Sequence, residues 1–96
     1  MYKDLDPLLH SQLRLAIVSL LMTSNEIDFN HIKDTTHATS GNISIQIKKL
    51  QDAGYIEVVK SFKNNYQNTS LKITNIGIKA FEDYVESLKQ YIKMSK

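Results

Sequence analysis

With 96 residues, 42% hydrophobic and 23% charged, the chain has the balance of one ordinary globular domain; disorder and the two-lobed folds of most enzymes are excluded. It has no cysteine, so neither a disulfide framework nor a thiolate metal site exists, and a reducing, cytoplasmic setting is expected. The net charge is +2, but it is unevenly spread: residues 1–31 sum to −2, residues 32–73 to +3 and residues 74–96 to +1. The middle third is the cationic third, with six lysines against Asp34, Asp52 and Glu57. No apolar run reaches the roughly 18 residues of a membrane span. The start lacks a basic segment leading into an apolar one. Neither a membrane partner nor a signal peptide is expected.

Asp6-Pro7 reads as a helix start, Asp6 at the N-cap and Pro7 in the first turn, and a first helix is expected over 7–23. Leu9, Leu13, Ile17, Leu20 and Leu21 recur at helical spacing. Leu15, Ala16, Val18 and Met22 fill much of the remaining circumference. A helix apolar nearly all round is buried on more than one side. The simplest cover in so small a protein is a second subunit, with Leu9, Leu13, Ile17 and Leu21 at the interface; a central helix within one chain is the alternative. Glu26-Ile27-Asp28 is long enough only for a strand fragment. A short second helix is expected over 28–36, capped by Asp28 or Asn30 and carrying Phe29, Ile32 and His31.

The cluster Thr39-Ser40-Gly41-Asn42 opens a third helix over 40–53, with Gly54 as its C-terminal stop. Two helices across a short turn make a helix-turn-helix. From Tyr55 the period changes to two, and a hairpin is expected over 55–73. Ile56, Val58 and Phe62 share one parity in its first strand, as Leu71 and Ile73 do in its second. Lys63 to Asn68 is read as a long polar tip. Thr74 looks like the N-cap of a last helix over 75–93, in which Phe81, Tyr84, Leu88 and Tyr91 form an apolar seam, the other half of the expected dimer interface. The fold class is therefore mainly α with a small β-hairpin wing, a winged helix-turn-helix of order α-β-α-α-β-β-α within a single domain, 1–96.

The third helix carries the functional signal. At about 100 degrees per residue, Ile43, Ile47 and Leu50 fall on one side and face the core. Asn42, Ile45, Lys48 and Lys49 project away, with Ser44 and Gln46 on the flanks. Amides can pair bidentately with adenine, Ile45 can pack on a thymine methyl, and lysines can neutralise phosphates. Asn42, Ser44, Ile45 and Gln46 are the candidates for base edges. Ser40, Lys48, Lys49, Lys63 and Asn64 are the candidates for phosphates. The hairpin tip adds Lys60, Asn65, Tyr66 and Gln67, suited to a phosphate backbone or a minor groove. A solvated helix face and a free polar loop are the plain alternatives. The occurrence of both features in the cationic third favours double-stranded DNA as the partner.

Gly41-Asn42-Ile43-Ser44, then Ile47, Lys49-Leu50 and Ala53-Gly54-Tyr55-Ile56, resemble the signature of small winged-helix transcriptional regulators. These form the broad group around the multiple-antibiotic-resistance (MarR) and arsenical-resistance (ArsR) repressors. Lys60 and Phe62, with Leu71-Lys72-Ile73-Thr74 and Gly77, resemble the compact winged helix DNA-binding domain proteins. The likeness runs from about Leu8 to Tyr91. It implies a sequence-specific regulator acting as a homodimer, the recognition helix in the major groove and the wing on the flanking backbone. It also allows a small-molecule effector between the first and last helices. Gln46 stands where many arsenical-type members carry histidine, and Asn68 where relatives often have proline. Arg14, the one arginine, lies in the first helix rather than at the wing tip. The alternative function is a protein-interaction module using the same surface. His10, His31 and His37 are not spaced as a ligand set, no serine lies in a Gly-x-Ser-x-Gly turn and no phosphate-binding glycine loop is present. Catalysis, a metal and a cofactor are not expected.

Overall fold

The computed structural model describes residues 4–94. Its elements are α1 (Gln12–Ser24), β1 (Glu26–Asp28), α2 (Phe29–Thr36), α3 (Ser40–Asp52), β2 (Ile56–Lys63), β3 (Tyr66–Ile73) and α4 (Asn75–Met94), the order read from the sequence. The three strands form one antiparallel sheet, β1-β3-β2. Leu71 lies at its centre, facing Ile27 on one side and Val58 on the other. One core collects Ile17, Val18 and Leu21 from α1, Ile32 from α2, Ile43, Ile47 and Leu50 from α3, and Ile56 and Leu71 from the sheet. α1 is thus a central helix of the protomer, and its all-round apolar character is largely used up by its own chain.

The first helix begins later than expected. Asp6 does organise a start, but of one turn: its carboxylate accepts from the Leu8 N–H at 2.8 Å and its carbonyl from the His10 N–H at 2.8 Å. Ser11 is then extended (φ −150°, ψ 127°), and α1 runs from Gln12. The break lets Leu9 swing fully into the core and places His10 Nδ1 3.0 Å from the Tyr84 hydroxyl. A second Asp6 oxygen accepts from the Tyr55 hydroxyl at 2.5 Å, so this turn is pinned to the far end of α3.

α2 ends on His37 in the left-handed region (φ 60°), whose N–H closes on the Lys33 carbonyl. The wing also departs from expectation. Its tip is the two-residue turn Asn64-Asn65 rather than six residues, both with positive φ (53° and 68°). That is the signature of the I′ hairpin turn, and asparagine tolerates it better than other side chains. The strands therefore run out to Lys63 and Tyr66, paired with each other. Gln67 and Asn68 hid this in the sequence because a strand projecting into solvent carries no apolar alternation.

Thr74 joins the wing to α4. Its hydroxyl accepts from the Gly77 N–H at 3.0 Å as an N-cap and donates to the Gly54 carbonyl at 2.6 Å. Its own N–H reaches the Tyr55 carbonyl at 3.1 Å. This draws α4 so close to the turn after α3 that a Cβ on Gly77 would lie 2.2 Å from the Tyr55 oxygen. The Thr-x-x-Gly spacing is thus a cap combined with a close backbone approach. Gly77→Ala is expected to destabilise the fold by about 3 kcal/mol, since backbone rather than a flexible side chain would have to move; urea unfolding measures it.

Burial first, and then the hydrogen bond and the charge of Asp6, push the Tyr55 phenol up from 10.0 to about 12. The folded chain holds this proton more tightly than the unfolded chain. The resulting stabilisation is complete below pH 10 and is lost as pH rises towards 12. Tyr55→Phe should therefore melt with a shallower loss of Tm across that alkaline window than the unaltered protein. Parallel thermal melts over the window test this, and equal slopes would contradict it.

Candidate nucleic-acid interface

The orientation of α3 decides what the protein presents. Ile43 and Leu50 are fully buried and Ile47 nearly so, which leaves the opposite side of the helix in solvent. The Thr39 hydroxyl caps it, accepting from the Asn42 N–H at 3.1 Å. Tyr55 N–H closes the other end on the Leu50 carbonyl, with Gly54 at φ 80° reversing the chain. Held at both ends, a helix of 13 residues is about 20 Å long, and the major groove of B-DNA is wide enough to admit one.

Of the α3 candidates, Ser40, Asn42, Ser44, Lys48 and Lys49 are exposed, as is Ile45 at 57%. Gln46 alone is half-buried. They divide into two flanks. Ser44 and Lys48 face the wing, where Ile47 and Gln51 join them in lining an open concavity of about 760 Å³. Its far wall is Val58, Lys60, Gln67, Asn68 and Thr69 from the wing, and its floor includes Phe29 and Asn30 from α2. Two lysines and several amides and hydroxyls line it, and none of its lining residues is a carboxylate. The groove between helix and wing is thus lined by two lysines and many hydrogen-bonding groups, with Asp28 accepting from Asn68 at 3.4 Å beside it. Lys48 also reaches Asp52 at 2.7 Å, an exposed pair of small worth that a phosphate can displace.

Asn42 and Gln46 lie on the other flank, against α1. Gln46 Nε2 donates to Asn42 Oδ1 at 3.0 Å, and Gln46 Oε1 accepts from the Arg14 guanidinium. The free bidentate amide expected at Gln46 is therefore already engaged at both ends. At the wing tip, Asn64 and Asn65 form the turn and Tyr66 is 77% exposed, beside the end of β2 at Lys63. Phe62 is 80% exposed on the parity of Lys60, so the tip carries one aromatic on each face.

The groove residues Asn30, Gln51 and Thr69, and Arg14 on the other flank, lie outside the sequence-based candidates, whereas Lys60 was read with the hairpin tip. Lys60 and Thr69 face each other in the hairpin register, and the alternation from Ile56 and Val58 places Lys60 on the α3 side. That signal was present in the sequence. Asn30 and Arg14 have no local signal, because each reaches the site only when α2 or α1 docks against α3.

The interface expected between subunits is partly reassigned. Leu9, Ile17 and Leu21 are fully buried and Tyr84 is 5% exposed, so these four belong to the protomer's own core and have no surface left for a partner. Leu13 and Phe81 are half-buried, and Leu88 and Tyr91 are exposed at 36% and 37%. Ile92, at 57%, extends the same end of α4.

The family model of the winged helix DNA-binding domain matches residues 13–92. An uncharacterised protein of Methanocaldococcus jannaschii is 34% identical over 84 residues, 88% of this chain and 91% of that protein. An uncharacterised HTH-type transcriptional regulator of Pyrococcus abyssi is 31% identical over 81 residues, 83% of this chain and 54% of that longer protein. Among solved structures, a transcriptional regulator homologue from Pyrococcus horikoshii is similar with a TM-score of 0.87 at 25% identity, over 93% of this chain and 88% of that one. A mutant MarR of E. coli complexed with operator DNA is similar with a TM-score of 0.75 over 93% of this chain and 63% of that one; at 16% identity the likeness is one of fold.

Proposed function

The chain belongs to the winged helix DNA-binding domain family, and we propose that it is a transcriptional regulator that binds specific double-stranded DNA as a homodimer. The observation that carries this reading is the groove between α3 and the wing, lined by Lys48, Lys60, amides and hydroxyls, beside the exposed outer face of α3. In this reading α3 lies in the major groove. Asn42, Ser44 and Ile45 meet base edges, and Ser40, Lys48 and Lys49 meet phosphates. The wing, with Lys60, Lys63, Asn64, Asn65 and Tyr66, follows the flanking backbone. Phosphate contacts set the register and base edges set the sequence.

Two observations support the homodimer. The exposed or half-buried apolar residues Phe81, Val85, Leu88, Tyr91 and Ile92 continue along α4, with Leu13 and Leu20 half-buried on α1. The molecule is also extended, 54 × 26 × 21 Å with a radius of gyration of 14.6 Å. A compact chain of this length would have about 12.5 Å. The 20 residues of α4 span about 30 Å, and a second copy would cover its outer half. Two-fold symmetry then calls for a pseudo-palindromic site with half-sites about one helical turn, or a multiple of it, apart. The resemblance-based effector site between the first and last helices would lie at this same junction.

Fluorescence anisotropy with duplexes selected from a random pool, over a salt series, tests the reading. Tight, selective binding that weakens with salt is expected. Lys60→Ala should weaken all duplexes about equally and lower the salt slope by about one, leaving the preferred sequence unchanged. Light scattering should give twice the chain mass, and Leu88→Glu with Tyr91→Glu should halve it. Selection of no sequence, or binding indifferent to salt, would instead assign the face to protein contacts.

A further inference from the structure

Arg14 is the chain's only arginine, and it sits on α1, behind the helix that meets DNA in the proposed reading. Its Nε donates to the Leu8 carbonyl at 2.6 Å, and its Nη1 donates to Gln46 Oε1. Gln46 Nε2 donates in turn to Asn42 Oδ1 at 3.0 Å. Arg14 and Gln46 are half-buried, and Asn42 is exposed. One line of hydrogen bonds thus runs from the back of α3 to its front.

The line has a direction imposed by chemistry. A guanidinium only donates, whereas a carboxamide can present either end. The Gln46 atom facing Arg14 must therefore be its oxygen. Its nitrogen is then the atom that faces Asn42, and Asn42 must answer with oxygen. Both amides have their oxygens engaged from within the protein. What they have left to offer outward is chiefly N–H.

Resting on the DNA-binding reading, we propose that Arg14 is a positioning residue that sets the amide orientation of Gln46 and Asn42, and thereby the hydrogen-bond code that the front of α3 offers to the major groove. An outward N–H matches an acceptor: guanine O6 and N7, thymine O4 or adenine N7. It does not match the N4 amino group of cytosine. Nor does it give the paired donor and acceptor that a bidentate contact to adenine needs. Arginine suits this task better than lysine because its planar fork holds two acceptors at a fixed angle. One arm is anchored on Leu8, whose N–H is held by Asp6, which is itself gripped by Tyr55. Arg14 is thus fixed from behind.

The test compares base preference, salt slope and melting for the unaltered protein and two variants, using duplexes selected from a random pool. The unaltered protein should select an acceptor-edge base at one step of each half-site. Gln46→Glu leaves an oxygen for Arg14 but turns a second oxygen towards Asn42. Asn42 must then reverse its amide and present oxygen outward. The preference at that step should switch towards cytosine by roughly tenfold. Arg14→Met frees Gln46 and should flatten the preference at the same step, with the salt slope unchanged because Arg14 meets no phosphate in this scheme. If Arg14→Met does not fold, Gln46→Glu decides alone. Unchanged preference in the folded variants would overturn the inference, as would a salt slope lowered by about one in Arg14→Met, which would make Arg14 a phosphate ligand. Should the unaltered protein select no sequence at all, the DNA-binding reading falls as well; selection that the variants leave unmoved removes only the inference.

Discussion

The burial of Ile43, Ile47 and Leu50 is the constraint on which the rest of the structure depends. Three apolar side chains on one line of a helix fix its rotation about its own axis, because turning it would expose them and bury lysines. Once that rotation is set, every other residue of α3 has its address. Ser44, Lys48 and Gln51 go to the wing, Asn42 and Gln46 go to α1, and Ile45 points straight out. The outer face is thus specified by the inner one. A functional surface built this way is rigid without any dedicated scaffold of its own.

Polar contacts then tie that helix to the segments around it. Asp6 receives the Leu8 N–H and the Tyr55 hydroxyl, Leu8 receives Arg14, and Arg14 reaches Gln46. On the opposite side, Thr74 holds Gly54, Tyr55 and Gly77 together at one junction. Tyr55 takes part in both clusters, through its hydroxyl in the first and its carbonyl in the second. The turn after α3 is therefore the point where the N-terminal segment, α3 and α4 are coupled. Tyr55 in the Ala-Gly-Tyr-Ile motif is an anchor rather than a core filler, which its half-buried ring and shifted phenol reflect.

Most of this fold was legible in the sequence because its signals are local. The third helix announces itself through a cap at Thr39, a stripe at Ile43, Ile47 and Leu50 and a stop at Gly54, all within sixteen residues. The elements that were misjudged needed information from far along the chain. Asp6-Pro7 has the form of a helix start, yet the demand of Leu9 for the core ends that turn at Ser11. Asn64-Asn65 makes a tight turn, but the strands leading into it are polar, and only cross-strand pairing identifies them. The apolar circumference of α1 was correctly read as burial on several sides. Ile17, Val18 and Leu21 show that α2, α3 and the sheet supply most of the cover. On the outer face of α3, residue types and exposure followed from helical periodicity, whereas the engagement of Gln46 did not, since nothing near it in sequence foretells Arg14.

The charge distribution bears on why a paired molecule would matter. Among the groove residues only Lys48 and Lys60 are cationic, and Lys48 already has Asp52 beside it. In the proposed reading Lys49 and Lys63 add to these two, and since each phosphate contact contributes a limited, salt-sensitive increment, one protomer alone would hold DNA weakly. A second copy joined through the outer half of α4 would double the contacts while making the second engagement intramolecular, at an effective concentration far above that of free protomers. The apolar end of α4 would in that case do more than hide hydrophobic surface. It would convert two weak, mainly electrostatic grips into one selective grip, and the distance between the two α3 helices would become part of the sequence that is read.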